Sequence, residues 1–258
     1  MKLKDIKLII TTGLHQQPHE HLTFYWRLKE HVKFADMIGI KNFSEILPRM
    51  SRDFLVNFSN KIDAINAEKR DAIILELQQQ MEPNAKIRAL VHSIAKGNLK
   101  PMVANENPSL KNDDFILTIN AMAISLYDWT QAIFEANLFA KDTRIISFTS
   151  EGNTKAWKHY AAVSAAKVTL EAITRNIALE FAPLGIKANC IQAGVTDTPS
   201  LRLISGYEKM KAHNELRNPF KRLTTPEDVA NVVYLLCKDE ASWINGSIIP
   251  VDGGEHIS

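Results

Sequence analysis

The chain has 258 residues, 45% of them hydrophobic, and a formal net charge of +2, which suits one large α/β core or two small ones. A balance that close to neutral gives no electrostatic footprint for nucleic acid or an anionic membrane. No run of about 18 apolar residues occurs, so no membrane-spanning helix is expected, and Cys190 and Cys237, each in an apolar run, read as buried free thiols of a cytoplasmic protein.

In chain order, residues 6–12 predict a buried first strand that ends at Gly13. The apolar part of Met1–Ile10 is too short for a signal-peptide core, and no small-residue cleavage site follows promptly. Residues 19–31 predict a helix. Over 32–66 the pattern is weakest: a short strand at Val32–Ile38, a helix over 43–58 and a weak strand at Lys61–Ile65. Residues 67–82 predict a helix with Ile73, Ile74 and Leu77 on one side. Beyond it the pattern is regular, with a strand at Ile87–Ser93, a helix over Asp114–Ala136 and a strand at Arg144–Thr149. A long helix spans 157–182, with Val163, Ala166, Leu170, Ile173, Ile177 and Phe181 three and four apart, and Pro183 and Gly185 end it. A strand at Ala188–Gln192 precedes a polar segment, 199–222, that lacks strong periodicity. Thr225 caps a helix with Pro226 in its first turn and Glu227 and Asp228 at its positive end. That helix runs to about Cys237, and Ser247–Val251 is a last strand closed by Asp252-Gly253-Gly254.

Strands alternating with helices imply right-handed crossovers and a doubly wound parallel sheet of the Rossmann-like α/β class. Such sheets bind ligands at the carboxyl ends of their strands. Tyr160 and Lys167 fall near one of those ends, seven residues apart on the predicted long helix. Seven residues are about two turns, which leaves both side chains on nearly the same side, roughly 10 Å apart along the axis. An ammonium near a phenol favours the phenolate and stabilises negative charge developing on a substrate oxygen. By itself the spacing also fits a half-buried tyrosine and a surface lysine.

Residues 144–198 resemble the core of the short-chain dehydrogenase/reductase superfamily. The segment Lys167-Val-Thr-Leu-Glu-Ala-Ile-Thr174 is similar to the one that follows the superfamily's active-site lysine. Ala188 to Thr198 is similar to its strand and turn beside the nicotinamide, and Val251-Asp252-Gly253-Gly254 to its C-terminal signature. Most of the superfamily places the tyrosine four residues before the lysine, where this chain has Val163; the enoyl-acyl carrier protein reductases place it seven before, as Tyr160 stands here.

That resemblance implies NADH- or NADPH-dependent reduction of a carbon–carbon double bond conjugated to a thioester carbonyl. Hydride would add to the β-carbon, Tyr160 would support the enolate oxygen, and Lys167 would bind the nicotinamide ribose. It implies a cofactor edge of Gly13, Ser93, Ile94, Ala95, Lys167, Gly194, Thr196 and Thr198. Leu90-Val91-His92-Ser93-Ile94-Ala95 resembles the branch's strand end beside the cofactor. Asn120 resembles the superfamily's water-holding helix asparagine, and Ser150, ten before Tyr160, takes a place where some relatives carry a second tyrosine and others a serine. Segment 199–222 resembles the substrate lid, with Leu201, Leu203, Ile204, Tyr207 and Met210 available for an acyl pocket. Pro219 and Arg222 resemble its closing residues, the arginine anchoring lid to body. The basic residues Arg202, Lys209, Lys211, Arg217, Lys221 and Arg222, against Glu208 and Glu215, could meet an acidic carrier protein. The implied architecture is a single domain over 1–258 with a seven-stranded sheet of order 3-2-1-4-5-6-7, assembled as a homotetramer or homodimer.

Residues 1–86 resemble the family least. The turn after the first strand keeps only Gly13 of the glycines that let backbone amides approach a pyrophosphate, Glu20 adds negative charge there, and Asp36 is a candidate ribose-binding acid. His15, Gln16 or Gln17 could replace those donors. Two alternatives follow: a non-redox enzyme acting on an acyl thioester, or a silent subunit of a homologous reductase. His15, His19 and His21 read as a solvated or phosphate-facing turn, and no metal site is expected.

Overall fold

The computed structural model describes residues 8–12, 54–57, 65–103 and 108–258. Among the described residues six parallel strands form one sheet in the order β2-β1-β3-β4-β5-β6. They are β1 (Leu8–Thr12), β2 (Phe54–Asn57), β3 (Ile87–Ser93), β4 (Phe139–Ser150), β5 (Ile186–Ala193) and β6 (Ile248–Val251). The helices are α1 (Ala67–Gln80), α2 (Asn112–Ile119), α3 (Ser125–Glu135), α4 (Ala161–Glu180), α5 (Tyr207–Arg217) and α6 (Pro226–Leu236). Strand order reverses at β1, which pairs with β2 on one side and β3 on the other, with Thr12 level with Ser93. A crevice at such a reversal is where doubly wound sheets hold their ligands.

Side-chain alternation decides which residues meet which helix layer. Leu90, Ile145 and Ala188 face one layer and pack with Ile74 and Leu77 of α1, Leu126, Trp129 and Ile133 of α3, and Leu170 and Ile177 of α4. Their neighbours Ala89, Val91, Ile146 and Ile191 face the opposite layer, against Leu236 and Cys237. Each fully buried Leu, Ile or Val contributes about 1.5–3 kcal/mol. Arg144 fixes α6 to the sheet: it is buried in β4, donates from Nε to Leu236 O at 2.9 Å and from Nη2 to Lys238 O at 3.3 Å, and is charge-balanced by Asp142. A guanidinium there satisfies carbonyls that the helix end leaves open.

Four departures from the sequence reading have local causes. Phe54–Asn57, inside the predicted 43–58 helix, is a strand beside β1; an aromatic and a β-branched residue favour the pleat. Ile65 is not the end of a strand but lies just before Asn66, whose side chain caps α1 by accepting from Lys69 N at 2.9 Å. The 114–136 helix is interrupted by a π-helical stretch, Asn120–Ile124. The long helix starts at Ala161, not at 157: His159 has φ +65° and Tyr160 is the N-cap. The expected strand at Val32–Ile38, the helix over 19–31, the Gly13 turn and its histidines lie outside the described residues.

Segment 199–222 carries a short helical turn, Leu201–Leu203, and then α5. The buried positions of α5 are Met210 and Asn214, followed by Asn218 beyond its end. Asn214 Nδ2 donates to Met210 O and Asn218 Nδ2 to Asp252 O, both at 2.8 Å. The inward stripe of this helix is thus largely polar, so hydrophobic periodicity does not reveal it.

Candidate active site

Tyr160 and Lys167 both reach the carboxyl end of β4, by different routes. The Lys167 side chain runs inward from α4, is 9% exposed, and its Nζ donates to Phe148 O at 2.7 Å. The Tyr160 ring precedes the helix and packs on Met122, Val163 and Ala166. Two residues beyond Phe148, Ser150 ends the strand, about 6.6 Å further along it. The turn Glu151–Asn153 then brings Gly152 beneath the Tyr160 ring, where a Cβ would lie 2.6 Å from Cε1. Ser164 of α4 holds this turn by donating to Gly152 O. The convergence therefore comes from the β4–α4 turn and not from two turns of one helix.

Burial pushes the Tyr160 phenol above its usual pKa of 10.0, and the nearby Ser150 hydroxyl works against that shift. The phenol is a proton donor across the neutral range. Burial pulls the Lys167 ammonium below the usual lysine value, while Cys190 and Glu171 oppose it. Ser150 Oγ is buried beside the Tyr160 hydroxyl, without a well-formed hydrogen bond among the described residues. A buried hydroxyl left without one costs about 1–3 kcal/mol, so a ligand oxygen placed there recovers it.

Two more groups complete the buried site, and neither was singled out from the sequence. Glu171, four residues after Lys167 on α4, is buried; its Oε1 accepts from Thr149 Oγ1 and from Asn153 Nδ2, the latter at 2.6 Å. It ties the Glu151–Asn153 turn to the helix that carries the lysine. His92 of β3 is buried, with Nε2 2.7 Å from Ser125 Oγ. The positions of Lys167, Glu171 and Thr174, four and three apart, were the available signal for an inward polar stripe.

The remaining candidate residues occupy the same carboxyl edge. Ser93 ends β3, with Ile94 buried and Ala95 half-buried just beyond it. Gly194 follows β5, its N–H donating to Val251 O at 3.1 Å; a Cβ would sit 2.4 Å from Thr224 Oγ1 and 2.9 Å from Asp252 Cβ. Only glycine lets those three segments close up. Thr196 Oγ1 donates to Gly194 O at 3.0 Å, and Thr198 Oγ1 accepts from Leu201 N at 3.2 Å. Gly13 lies outside the described residues. Asn120 opens the π-helical stretch with its side chain exposed, and among the described residues it makes no side-chain hydrogen bond.

These donors fit the nicotinamide-ribose end of a dinucleotide. An ammonium has three N–H donors, and only one of those of Lys167 is taken by Phe148 O. The Ser150 hydroxyl stands at the same strand end. Among the described residues no group of three His, Cys, Asp or Glu side chains could hold a metal ion.

A family profile described as enoyl-(acyl carrier protein) reductase matches residues 40–256. The chain belongs to the enoyl-acyl carrier protein reductase family. Family members include the NADH enoyl-[acyl-carrier-protein] reductase of Bacillus cereus, 30% identical over 196 residues, which are 76% of this chain and 74% of that protein. The NADH enzyme of Aquifex aeolicus is 29% identical over 191 residues, 72% of this chain and 69% of its own length. The Aquifex aeolicus crystal structure superposes with a TM-score of 0.73 at 22% identity, over 99% of this chain and 98% of that one, and so shares its fold. The Bacillus cereus reductase, solved with NADP+ and an indole naphthyridinone, superposes with a TM-score of 0.72 at 25% identity, over 98% and 86% of the two chains.

Within this family framework the basic residues of 199–222 are mostly committed to partners on the chain itself. Arg202 and Lys211 share Asp197, and Lys221 Nζ donates to Leu216 O at 2.7 Å. Arg222, expected to anchor segment 199–222 to the body, pairs with Asp228 in the first turn of α6. Arg217 makes a second tie to the body: its Nη2 meets Glu151 Oε2 at 2.6 Å and Glu255 Oε1 at 3.3 Å. Position 217 ends the helix, facing the body, whereas position 222 lies in the exposed turn before α6.

Proposed function

We propose that the protein reduces the carbon–carbon double bond of an enoyl thioester with NADH or NADPH, taking its substrate from an acyl carrier protein. The observation that carries this reading is the buried phenol, ammonium and serine hydroxyl gathered at the end of β4. Donors held ready in a dry site stabilise an oxyanion because no solvent reorganisation is needed when charge appears. Ser93, Ile94, Ala95, Lys167, Gly194, Thr196 and Thr198 would hold the cofactor, with Gly13 at the phosphate end. Bound there, the reduced nicotinamide would supply the hydride for the β-carbon, and a solvent proton delivered to the α-carbon would complete the reduction.

The chain's own groups do the rest. The Tyr160 hydroxyl donates to the thioester oxygen as it gains enolate charge. The Lys167 ammonium lowers the energy of that charge and of the phenolate left if the proton moves across. Ser150 offers a second donor. Segment 199–222 acts as the lid, with Leu203 and Phe220 as exposed apolar surface for an acyl chain. The test is spectrophotometric. Purified protein should consume NADH or NADPH only when a short enoyl thioester is added. Folded protein that binds neither cofactor at millimolar concentration overturns the reading and transfers its acid–base groups to a non-redox reaction on an acyl thioester.

The protein is further proposed to work in the cytoplasm as a homodimer or homotetramer. Among the described residues no helix is long and apolar enough to cross a membrane, and both cysteines are free and buried. Among the described strands β6 pairs only with β5, and the segment leading into it exposes Trp243 at 97%. Leu235 and Ile248 are exposed as well. An open strand edge flanked by apolar side chains invites pairing with another chain. Light scattering should give a mass two or four times the 29.1 kDa of the chain; a monomer at micromolar concentration overturns the assembly.

A further inference from the structure

The Tyr160 side chain is not placed by capping its helix. Tyr160 is the N-cap of α4, but among the described residues its side chain makes no capping hydrogen bond, and His159 before it has φ +65°. Two other parts of the chain bound the ring. One is the cluster of Met122, Val163 and Ala166, with Leu99 partly buried against it. The other is Gly152, so close that a Cβ there would lie 2.6 Å from Cε1 and 3.1 Å from Cδ1. The first is packed core. The second belongs to a turn of three residues, Glu151–Asn153, and the place of that turn decides where the phenol points.

Each residue of the turn is tied to the body through a side chain. Glu151 meets Arg217. The Gly152 carbonyl accepts from Ser164 Oγ in the first turn of α4. Asn153 Nδ2 donates to Glu171 Oε1 at 2.6 Å, and the same oxygen accepts from Thr149 Oγ1 at 2.5 Å. Thr149 stands level with Gln192 of β5, whose Oε1 lies 3.4 Å from Asn153 Nδ2. These contacts continue one stripe between β4 and α4. It starts with Ser147 Oγ, 2.9 Å from Thr174 Oγ1, passes through Thr149 and Glu171, and ends on the turn. Glu171 is 7% exposed. A buried oxygen that accepts from two donors is a fixed point, because a donor drawn off it is left without partner or water.

We propose that Glu171 and Asn153 are positioning residues for Tyr160: their hydrogen bond fixes the Glu151–Asn153 turn, and the turn, through Gly152, fixes the phenol. Lys167 is held separately, by Phe148 O. Loosening the turn therefore displaces the phenol and leaves the ammonium in place. A catalytic donor moved by about 1 Å loses on the order of 10²-fold in rate, so a hydrogen bond behind the ring has a large effect on a reaction it does not touch.

The kinetic consequence rests on the reductase reading, but the placement of the phenol does not, and the two are tested separately. In protein labelled with 3-fluorotyrosine, the Tyr160 fluorine resonance is identified by its loss in Tyr160→Phe. It should keep its position in Glu171→Gln, which still offers an oxygen, and shift or broaden in Glu171→Met and Asn153→Ala. Asn153 is half-buried, and its replacement leaves the contact of Glu171 with Thr149 intact, so Asn153→Ala answers even if Glu171→Met does not fold. A Tyr160 resonance unmoved in Asn153→Ala overturns the inference whatever the enzyme turns over. If no enoyl thioester is reduced, the reductase reading fails and this arm still decides the placement. In the kinetic arm, Asn153→Ala should lower kcat on the order of 10²-fold at unchanged cofactor Kd, and Glu171→Gln should keep most of the activity. Added to Tyr160→Phe, Asn153→Ala should cost no further kcat, because the group it places is gone. An equal loss in both backgrounds would mean that the turn acts on something other than the phenol, and would also overturn the proposal.

Discussion

Replacing Tyr160 with Phe should lower kcat by about 10²- to 10³-fold while leaving the fold and the cofactor affinity unchanged. The substitution removes one oxygen and keeps the ring that packs on Met122, Val163 and Ala166, so little packing is lost. It does remove the donor aimed at the developing oxyanion, and deletion of one such donor typically costs 10²–10³ in kcat. The Ser150 hydroxyl stays, so the residue of activity should exceed the uncatalysed rate. The direction of the pH profile follows from the two groups. The phenol, raised by burial, stays protonated through neutrality, and the ammonium, lowered by burial, loses its proton below the 10.5 of a free lysine. The wild-type alkaline limb should therefore begin below that value. Steady-state kinetics on the thioester, with thermal unfolding as the check on folding, decide the matter. Unchanged turnover in Tyr160→Phe would show that no chemistry passes through the phenol and would favour a silent subunit.

The pairing of Tyr160 with Lys167 could be expected from the sequence because its signal is local. Tyr160 and Lys167 sit on one element and its cap, and seven residues of spacing are enough to expect them together. The reason they meet was not legible. Three residues that read as the start of a helix, Trp157 to His159, form a turn instead, with His159 in the left-handed region. The strand-to-helix turn through Gly152 then does the positioning. Strands β3, β4 and β5 were recognisable because both of their faces are covered, which makes them near-continuous apolar runs. Helix α5 escaped because Asn214 lies on its inward side and is satisfied by a backbone carbonyl. His92 and Glu171 escaped for a related reason. A buried polar residue looks like a surface residue in a sequence, and only its partners, Ser125 for one and Thr149 and Asn153 for the other, come from distant parts of the chain.

The same logic gives the second large effect, on Arg217. Its guanidinium is 13% exposed and lies between Glu151, which directly follows Ser150, and the C-terminal Glu255. Glu255 in turn accepts from the backbone N–H of Val195 at 3.4 Å, in the turn after Gly194. One cation thus joins the end of α5, the Glu151–Asn153 turn and the β5 edge. Removing it in Arg217→Met leaves the buried Glu255 and the half-buried Glu151 near each other, with Lys155, on Glu151, to offset them. Leaving the buried Glu255 unpaired while the half-buried Glu151 keeps Lys155 costs about 1–3 kcal/mol, which for a chain of this size lowers Tm on the order of several degrees. The acid dependence separates the two carboxylates. Burial raises Glu151, but Arg217 and Lys155 more than offset it, so its folded pKa lies below 4.5. Its contribution is therefore present above pH 4.5 and fades as pH falls through the depressed value. Glu255 is net raised, by burial first, so its ionised form opposes folding and its protonation at acid pH relieves that cost. Adding Glu151→Gln and Glu255→Gln to Arg217→Met should accordingly restore most of the lost Tm, because no unpaired charge remains. In kinetics Arg217→Met should raise KM for the thioester more than it lowers kcat, since segment 199–222, the proposed lid, is freed while Tyr160 and Lys167 keep their places. A Tm change of a degree or less would mean that the three charges are already solvated. Segment 199–222 would then be tied to the body, among the described residues, through Asn218 with Asp252 and Arg222 with Asp228.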